Sequence, residues 1–262
     1  MGIIILLLLF MLGACFGSFL CCSARRLHLK SKKKKLGRRS VCLNCKTKLK
    51  WYDNIPIVSW LLLKGKCRKC GKSIGAAEIL SELGLGLTFF LFGLGFMTSN
   101  AALNDFLSRT PMIYLILAIF FFFILCLGFL AIYDGLYGEL PSFVLYLSIF
   151  FAAIIAAYYF SAETWTNLFF SVLILGGLYL ILFLVSKGKW VGNGDWLLGV
   201  AIGLVLNSPW LALLTLFLSN LLACFVMLPV VKGKNKKISF GPFLVAAFVI
   251  VYAFSDFLLN VI

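Results

Sequence analysis

Apolar residues in this chain run in long blocks separated by short polar stretches. The blocks fall at about 3–22, 79–98, 112–132, 142–160, 167–185, 196–206, 210–231 and 243–262. A helix needs roughly 20 apolar residues to cross the hydrocarbon of a bilayer, so the pattern predicts an all-α polytopic membrane protein with about eight transmembrane helices. The sixth block is short and stops at Asn207-Ser208-Pro209, a turn signal. Such a helix tilts, thins the bilayer locally, or lines a cavity. The first block precedes Arg25-Arg26 instead of following positive charge, so it reads as a spanning helix and not as a cleavable signal.

Composition agrees with this pattern. Of 262 residues, 63% are apolar, and the mean hydropathy is +1.06. The net charge of +15 is concentrated: 17 of the 24 Lys and Arg residues lie in 23–78. With the N-terminus outside, the inward segments 23–78, 186–195 and 232–242 hold 17, two and four basic residues, and Arg109 alone falls outside. The opposite orientation would violate the positive-inside rule. The basic segment therefore reads as a cytoplasmic loop near anionic membrane lipids, with no nucleic acid expected as partner. The organisation expected is a first transmembrane helix at 1–22, a basic cytoplasmic module at 23–78 and a membrane core at 79–262.

That module carries Cys42-Leu43-Asn44-Cys45 and Cys67-Arg68-Lys69-Cys70, separated by 21 residues. Two such knuckles offer four thiolates to one Zn2+ in a tetrahedral site. Four protein ligands leave no open position, so the zinc is structural. Cys15, Cys21, Cys22, Cys126 and Cys224 lie in or beside apolar blocks and read as small hydrophobes.

Acids are scarce: Asp53, Glu78, Glu82, Asp105, Asp134, Glu139, Glu163, Asp195 and Asp256 are all nine. Asp134 closes the third block and Asp195 opens the sixth, after Gly192-Asn193-Gly194. Two complete spans separate them, so both fall on the cytoplasmic side. Ionisable residues at membrane depth point to function. Two paired carboxylates can share a proton and activate water for peptide hydrolysis. Asp195 could instead cap a helix, and Asp134 could simply mark a helix end. Gly192 and Gly194 leave room for a substrate backbone beside Asp195, or form a plain turn. If the acids pair, helix dipoles favour an ionised Asp195 at a helix N-terminus and a protonated Asp134 near a C-terminus. The only histidine is His28, beside the basic stretch. That leaves little support for a Ser-His protease and excludes an HExxH metalloprotease. No Walker motif is present, and Gly192-Asn193-Gly194-Asp195-Trp196-Leu197 lacks the third glycine of a dinucleotide fingerprint.

These residues resemble the type IV prepilin peptidases, GxGD aspartic proteases of the bacterial inner membrane. The resemblance rests on Gly17-Ser18-Phe19-Leu20 followed by Arg25, and on Ser40, Cys42, Cys45 and Leu49-Lys50-Trp51. It continues through Asp53-Asn54-Ile55-Pro56, Ser59-Trp60, Gly65-Lys66-Cys67-Arg68, Cys70 and Glu82. Asp134 with Leu140-Pro141, then Gly192-Asn193-Gly194-Asp195 with Leu198, match the two catalytic motifs, and Ile238-Ser239-Phe240-Gly241-Pro242-Phe243 matches a late one. Departures are Leu43 for the usual proline, Cys21 for an asparagine, Ala76-Ala77 where Tyr-Pro is usual, and Leu197 for a lysine.

The resemblance implies an endopeptidase in which Asp134 and Asp195 activate water to remove the basic leaders of type IV prepilins or pseudopilins. It also implies N-methylation of the new N-terminus with S-adenosylmethionine, for which the sequence displays no donor pocket. A basic leader would be repelled by the basic loop, so recognition is expected through the substrate's apolar helix and Glu78, Glu82 or Glu139. The competing reading is a non-enzymatic scaffold or a cation/proton transporter with a zinc docking module.

Overall fold

The computed structural model describes residues 2–31, 41–42, 44–98, 111–160, 164–188, 191–227 and 239–261. Ser40, Leu43, Asp105, Arg109, Glu163, Lys189, Ile238 and the basic residues of 32–39 and 232–237 lie outside them. The described residues are helical with two isolated antiparallel bridges. Among the described residues, five helices are long and apolar enough to cross a membrane, and three apolar helices are shorter. Contacts divide the chain into two units, Met1–Leu94 and Gly95–Ile262.

In the first unit, α1 (Gly2–Ser31) continues past its apolar block through Arg25 and Arg26. It packs against α3 (Ala77–Thr98) through two glycines four residues apart. A Cβ on Gly13 would strike the Leu85 carbonyl, and one on Gly17 would strike the Ser81 carbonyl. Small residues at this spacing let membrane helices approach backbone to backbone. Phe16 stacks on Phe89 beside this seam, with centroids 6.0 Å apart.

Between these helices lies a compact polar module with a short 3-10 turn (Trp51–Asn54) and α2 (Val58–Leu62). Its two Cys-x-x-Cys turns repeat one backbone plan. Cys42 N–H donates to Thr47 O at 3.0 Å, and Cys67 N–H donates to Lys72 O at 2.8 Å. The residue after each second cysteine, Lys46 or Gly71, takes a left-handed φ of 58° or 66°. Trp60 Nε1 donates to Gly75 O at 3.1 Å, and the Trp60 ring covers Gly65, whose positive φ and crowded Cβ position both require glycine.

The second unit comprises α4 (Pro111–Tyr137), α5 (Ser142–Tyr158), α6 (Trp165–Ser186), α7 (Asn193–Leu206), α8 (Pro209–Met227), α9 (Gly241–Ala253) and α10 (Ser255–Val261). The last apolar block is thus two helices, broken at Phe254, with Ser255-Asp256 opening the second. α6 contains a π-helical turn at Leu173–Gly177. α5 packs on α4 and α7, α9 packs on α4 and α8, and α7 packs on α6. Phe123, Leu127, Leu130, Leu198, Ile202, Leu244 and Phe248 are fully buried between them. Large apolar side chains such as Phe143, Leu184, Phe217 and Phe225 face outward, the arrangement lipid accepts and water does not.

Candidate active site and metal centre

α4 does not stop at Asp134. It runs on to Tyr137 and closes on Gly138, whose φ of 67° and N–H to the Asp134 carbonyl (2.7 Å) form a left-handed C-terminal cap. Asp134 therefore sits inside the last turn and is buried. Its Oδ2 accepts the Gly241 N–H at 2.9 Å, across 107 residues. Gly241 opens α9, so the Asp134 carboxylate faces a helix N-terminus. The expected contrast between a protonated Asp134 and an ionised Asp195 rested on the C-terminus of α4 and the N-terminus of α7. The α9 N-terminus at Asp134 opposes the α4 half of it, while Asp195 keeps its place in the first turn of α7. Gly241 also has to be glycine, because a Cβ there would lie 2.8 Å from Asp134 Oδ2.

Asp195 is the third residue of α7, not its cap, because the helix begins at Asn193. It is buried, and its Oδ2 accepts the Gly192 N–H at 2.9 Å. This is the half of a capping box that a glycine cap permits. α5 and α9 both contact α7, and both contact α4, which brings the C-terminus of one aspartate's helix to the N-terminus of the other's. The two carboxylates interact electrostatically. Each has one oxygen on a backbone N–H, and among the described residues each Oδ1 has no hydrogen-bond partner. Each carboxylate therefore keeps one oxygen available to a water.

Of the two glycines, Gly194 has its side-chain space taken by another segment. A Cβ on Gly194 would lie 2.5 Å from Leu140 Cδ1 and 2.8 Å from Leu140 Cβ. Leu140, six residues beyond Asp134, already fills that space. Gly194 therefore serves the docking of the two aspartate segments on each other. Gly192 lies against Asp195 itself, with a Cβ position 3.2 Å from Oδ2. Leu140 and Gly241 entered the sequence reading only as motif residues without a stated role, in Leu140-Pro141 after Asp134 and in the late Phe240-Gly241-Pro242.

In the first unit, the thiol sulfurs of Cys42, Cys45, Cys67 and Cys70 all lie within 4.8 Å of one another. Cys42 and Cys70 are 3.9 Å apart, and Cys45 and Cys67 are 4.0 Å apart. Zinc–sulfur bonds of about 2.3 Å at tetrahedral angles require sulfurs about 3.8 Å apart, so the cluster fits Zn2+. The Thr47 hydroxyl and backbone beside Cys45 pull its thiol down to about 6, and the Lys72 backbone N–H lowers Cys70; both favour the ligating thiolate. Arg68 Nε ties the second knuckle to Asp53 Oδ1 at 3.0 Å.

The same unit holds a cavity of about 800 Å³, lined among others by Arg25, Lys50, Trp60, Glu78 and Glu82. Glu78 is paired with Arg25 at 2.6 Å, and Glu82 Oε2 accepts the Ile57 N–H at 2.7 Å. Two of the three acids considered for leader recognition are thus already engaged. Glu139 is exposed in the turn after α4. Buried Arg25 Nε and Glu78 Oε2 have no hydrogen-bond partner among the described residues.

A family profile described as the Bacterial Peptidase A24 N-terminal domain matches residues 11–96. A prepilin leader peptidase/N-methyltransferase of Myxococcus xanthus is 45% identical over 82 residues, 31% of this chain and 24% of that protein. One from Vibrio cholerae is 37% identical over 84 residues, 27% of this chain and 33% of that protein. With these two, the shared segment spans a third or less of the relative's length. One from Bacillus subtilis is 28% identical over 260 residues, 97% of this chain and 96% of that protein. No solved structure matches.

Proposed function

We propose that this chain, which belongs to the prepilin leader peptidase/N-methyltransferase family, is a membrane-embedded aspartic endopeptidase that removes the leader of type IV prepilins or pseudopilins. The observation that carries the reading is the pair of buried aspartates. They come from different helices, each is held by a backbone N–H, and each keeps one oxygen free. In the reaction, one carboxylate takes a proton from the water that attacks the scissile carbonyl. The other supplies a proton to the departing amine. Which acid plays which part is shared within a pair that titrates together.

About eight apolar blocks span the bilayer in this reading, the shorter ones tilted or lining the site, and the charge pattern favours a cytoplasmic face for both aspartates. Residues 1–22 anchor the basic module at 23–78, whose zinc is structural, and 79–262 form the peptidase core. A cysteine introduced at Lys187 will react, above the parent's background, only with membrane-permeant thiol reagents. One introduced at Ser161 will react with impermeant reagents. Outside-only labelling at Lys187 would reverse the orientation.

Methylation of the new N-terminus belongs to the same reading. S-adenosylmethionine, when bound, supplies the methyl group. The unpartnered Glu78 Oε2 and Arg25 Nε suit its cationic centres and its carboxylate, and the cavity volume lies within the usual range for small-molecule sites.

The direct test is incubation of the purified protein with a prepilin and S-adenosylmethionine, followed by mass measurement. A product lacking the leader and carrying one methyl group is expected. An intact substrate would favour the scaffold or transporter reading. Gly194→Ala will lower cleavage about tenfold, because its Cβ overpacks Leu140 and shifts Asp195 relative to Asp134. Adding Leu140→Ala should restore most of that loss. Equal activity of both single and double variants would remove the packing argument.

A further inference from the structure

Tyr179 is a buried titratable side chain of the second unit that the reaction above does not use. It lies in α6 just past the π-helical turn, and only 3% of it is exposed. Its hydroxyl is enclosed and has no hydrogen-bond partner among the described residues. Ser219 and Asn220 of α8 interact with the phenol but do not meet hydrogen-bond geometry with it. Both side chains donate instead to the Leu216 carbonyl, at 2.9 and 2.7 Å. An unmade hydrogen bond on a buried hydroxyl is costly, and such exceptions call for an explanation.

The register of α6 on α7 supplies one. The two helices pack antiparallel through small residues. Gly203 meets Ser171 and Val172, with Ser171 Oγ donating to Gly203 O at 2.9 Å. Four residues on, Gly199 meets the Leu175 carbonyl. The next step of four in each direction sets Tyr179 level with Asp195. In an unbroken α-helix each step of four overshoots a turn by about 40°. The wider π turn at Leu173–Gly177 offsets part of that drift, and such turns occur often at functional sites. Tyr179 also lies within electrostatic reach of Asp195. Its ring packs on Phe240, with centroids 5.3 Å apart, and Phe240 immediately precedes the glycine that holds Asp134. The phenol thus lies within electrostatic reach of one acid and against the residue that precedes the other's support.

Tyr179 has a proton to donate, and Asp195 Oδ1 lacks a donor. Among the described residues from Gly95 onward the only cation is the exposed Lys187. We propose that Tyr179 is a positioning residue of the peptidase site, its hydroxyl donating to Asp195 Oδ1 directly or through one water when the site is hydrated for catalysis. Hydrogen bonds of this kind are often long in a substrate-free enzyme and tighten in the complex. The tyrosine keeps its proton throughout. Its part is to fix the carboxylate's orientation toward the attacking water.

The proposal rests on the peptidase reading, and Tyr179→Phe tests it. Phenylalanine keeps the ring and its contact with Phe240 and removes only the unpartnered hydroxyl. The kcat for prepilin cleavage should fall roughly 10- to 100-fold, as for loss of a hydrogen bond to a charged group, with KM within about twofold. The unfolding midpoint in detergent should not fall. Unchanged kcat would overturn the proposal. So would a raised KM with normal kcat, or a loss of kcat that follows a lowered unfolding midpoint, since that is the mark of a merely structural tyrosine. The parent protein and Asp195→Asn are assayed alongside. A parent that leaves prepilin intact sinks the peptidase reading itself, whereas a cleaving parent matched by Tyr179→Phe sinks only the positioning role.

Discussion

Asp134→Asn and Asp195→Asn will each lower prepilin cleavage on the order of 10³-fold or more, with the protein still inserted and folded. Removing one carboxylate leaves no partner for the second proton transfer, and a positioned acid or base is commonly worth 10²–10⁴ in rate. The fold should survive because asparagine retains the carbonyl oxygen that accepts from Gly241 or Gly192. Each substitution also removes a buried ionisable group, which is costly to keep charged away from water. Cleavage is read by product mass and folding by thermal unfolding in detergent. Full activity in either variant would exclude the two-aspartate mechanism.

Cys42→Ser or Cys67→Ser will drop bound zinc from about one per chain to near none and loosen residues 41–76. Zinc binding and local folding are one process in small thiolate sites, worth roughly 10–16 kcal/mol in isolated zinc-finger peptides. Here the two bridges Val41–Lys48 and Lys66–Ser73 are the only strand-like pairings among the described residues, each within one knuckle, and the polar links between the knuckles, such as Lys72 Nζ to Asn44 Oδ1 at 3.0 Å, are exposed. Cleavage should remain within about tenfold of the parent, because the aspartates belong to the other unit and a four-thiolate zinc has no open position for water. Methylation should fall further, since Lys50, Trp60 and Glu78 of the same module and its flanking helix line the cavity. Zinc content, cleavage and methylation measured on one preparation separate these effects. Abolished cleavage in a folded, zinc-free variant would make the metal module part of the proteolytic site.

Much about this protein follows from local spacing and composition alone. Eight apolar blocks announce membrane helices because hydrocarbon demands continuous apolar length. The paired Cys-x-x-Cys turns imply a metal site because each knuckle closes within its own few residues. The aspartates stand out because acids are so few. Packing partners are another matter. In a membrane helix, lipid-facing and helix-facing residues are both apolar, so hydropathy cannot tell which face meets which neighbour. Nothing local to Asp134 says that Gly241, 107 residues away, donates to it, or that α4 continues to Tyr137. Gly194 reads as free space until Leu140 is found occupying it. Arg25 and Glu78 are unremarkable charges until α1 and α3 bring them within 2.6 Å. Tyr179 is one aromatic among many until the antiparallel register of α6 and α7 places it level with Asp195. These relations arise from small-residue contacts and helix register over long sequence separations, and they exist only once the helices have packed.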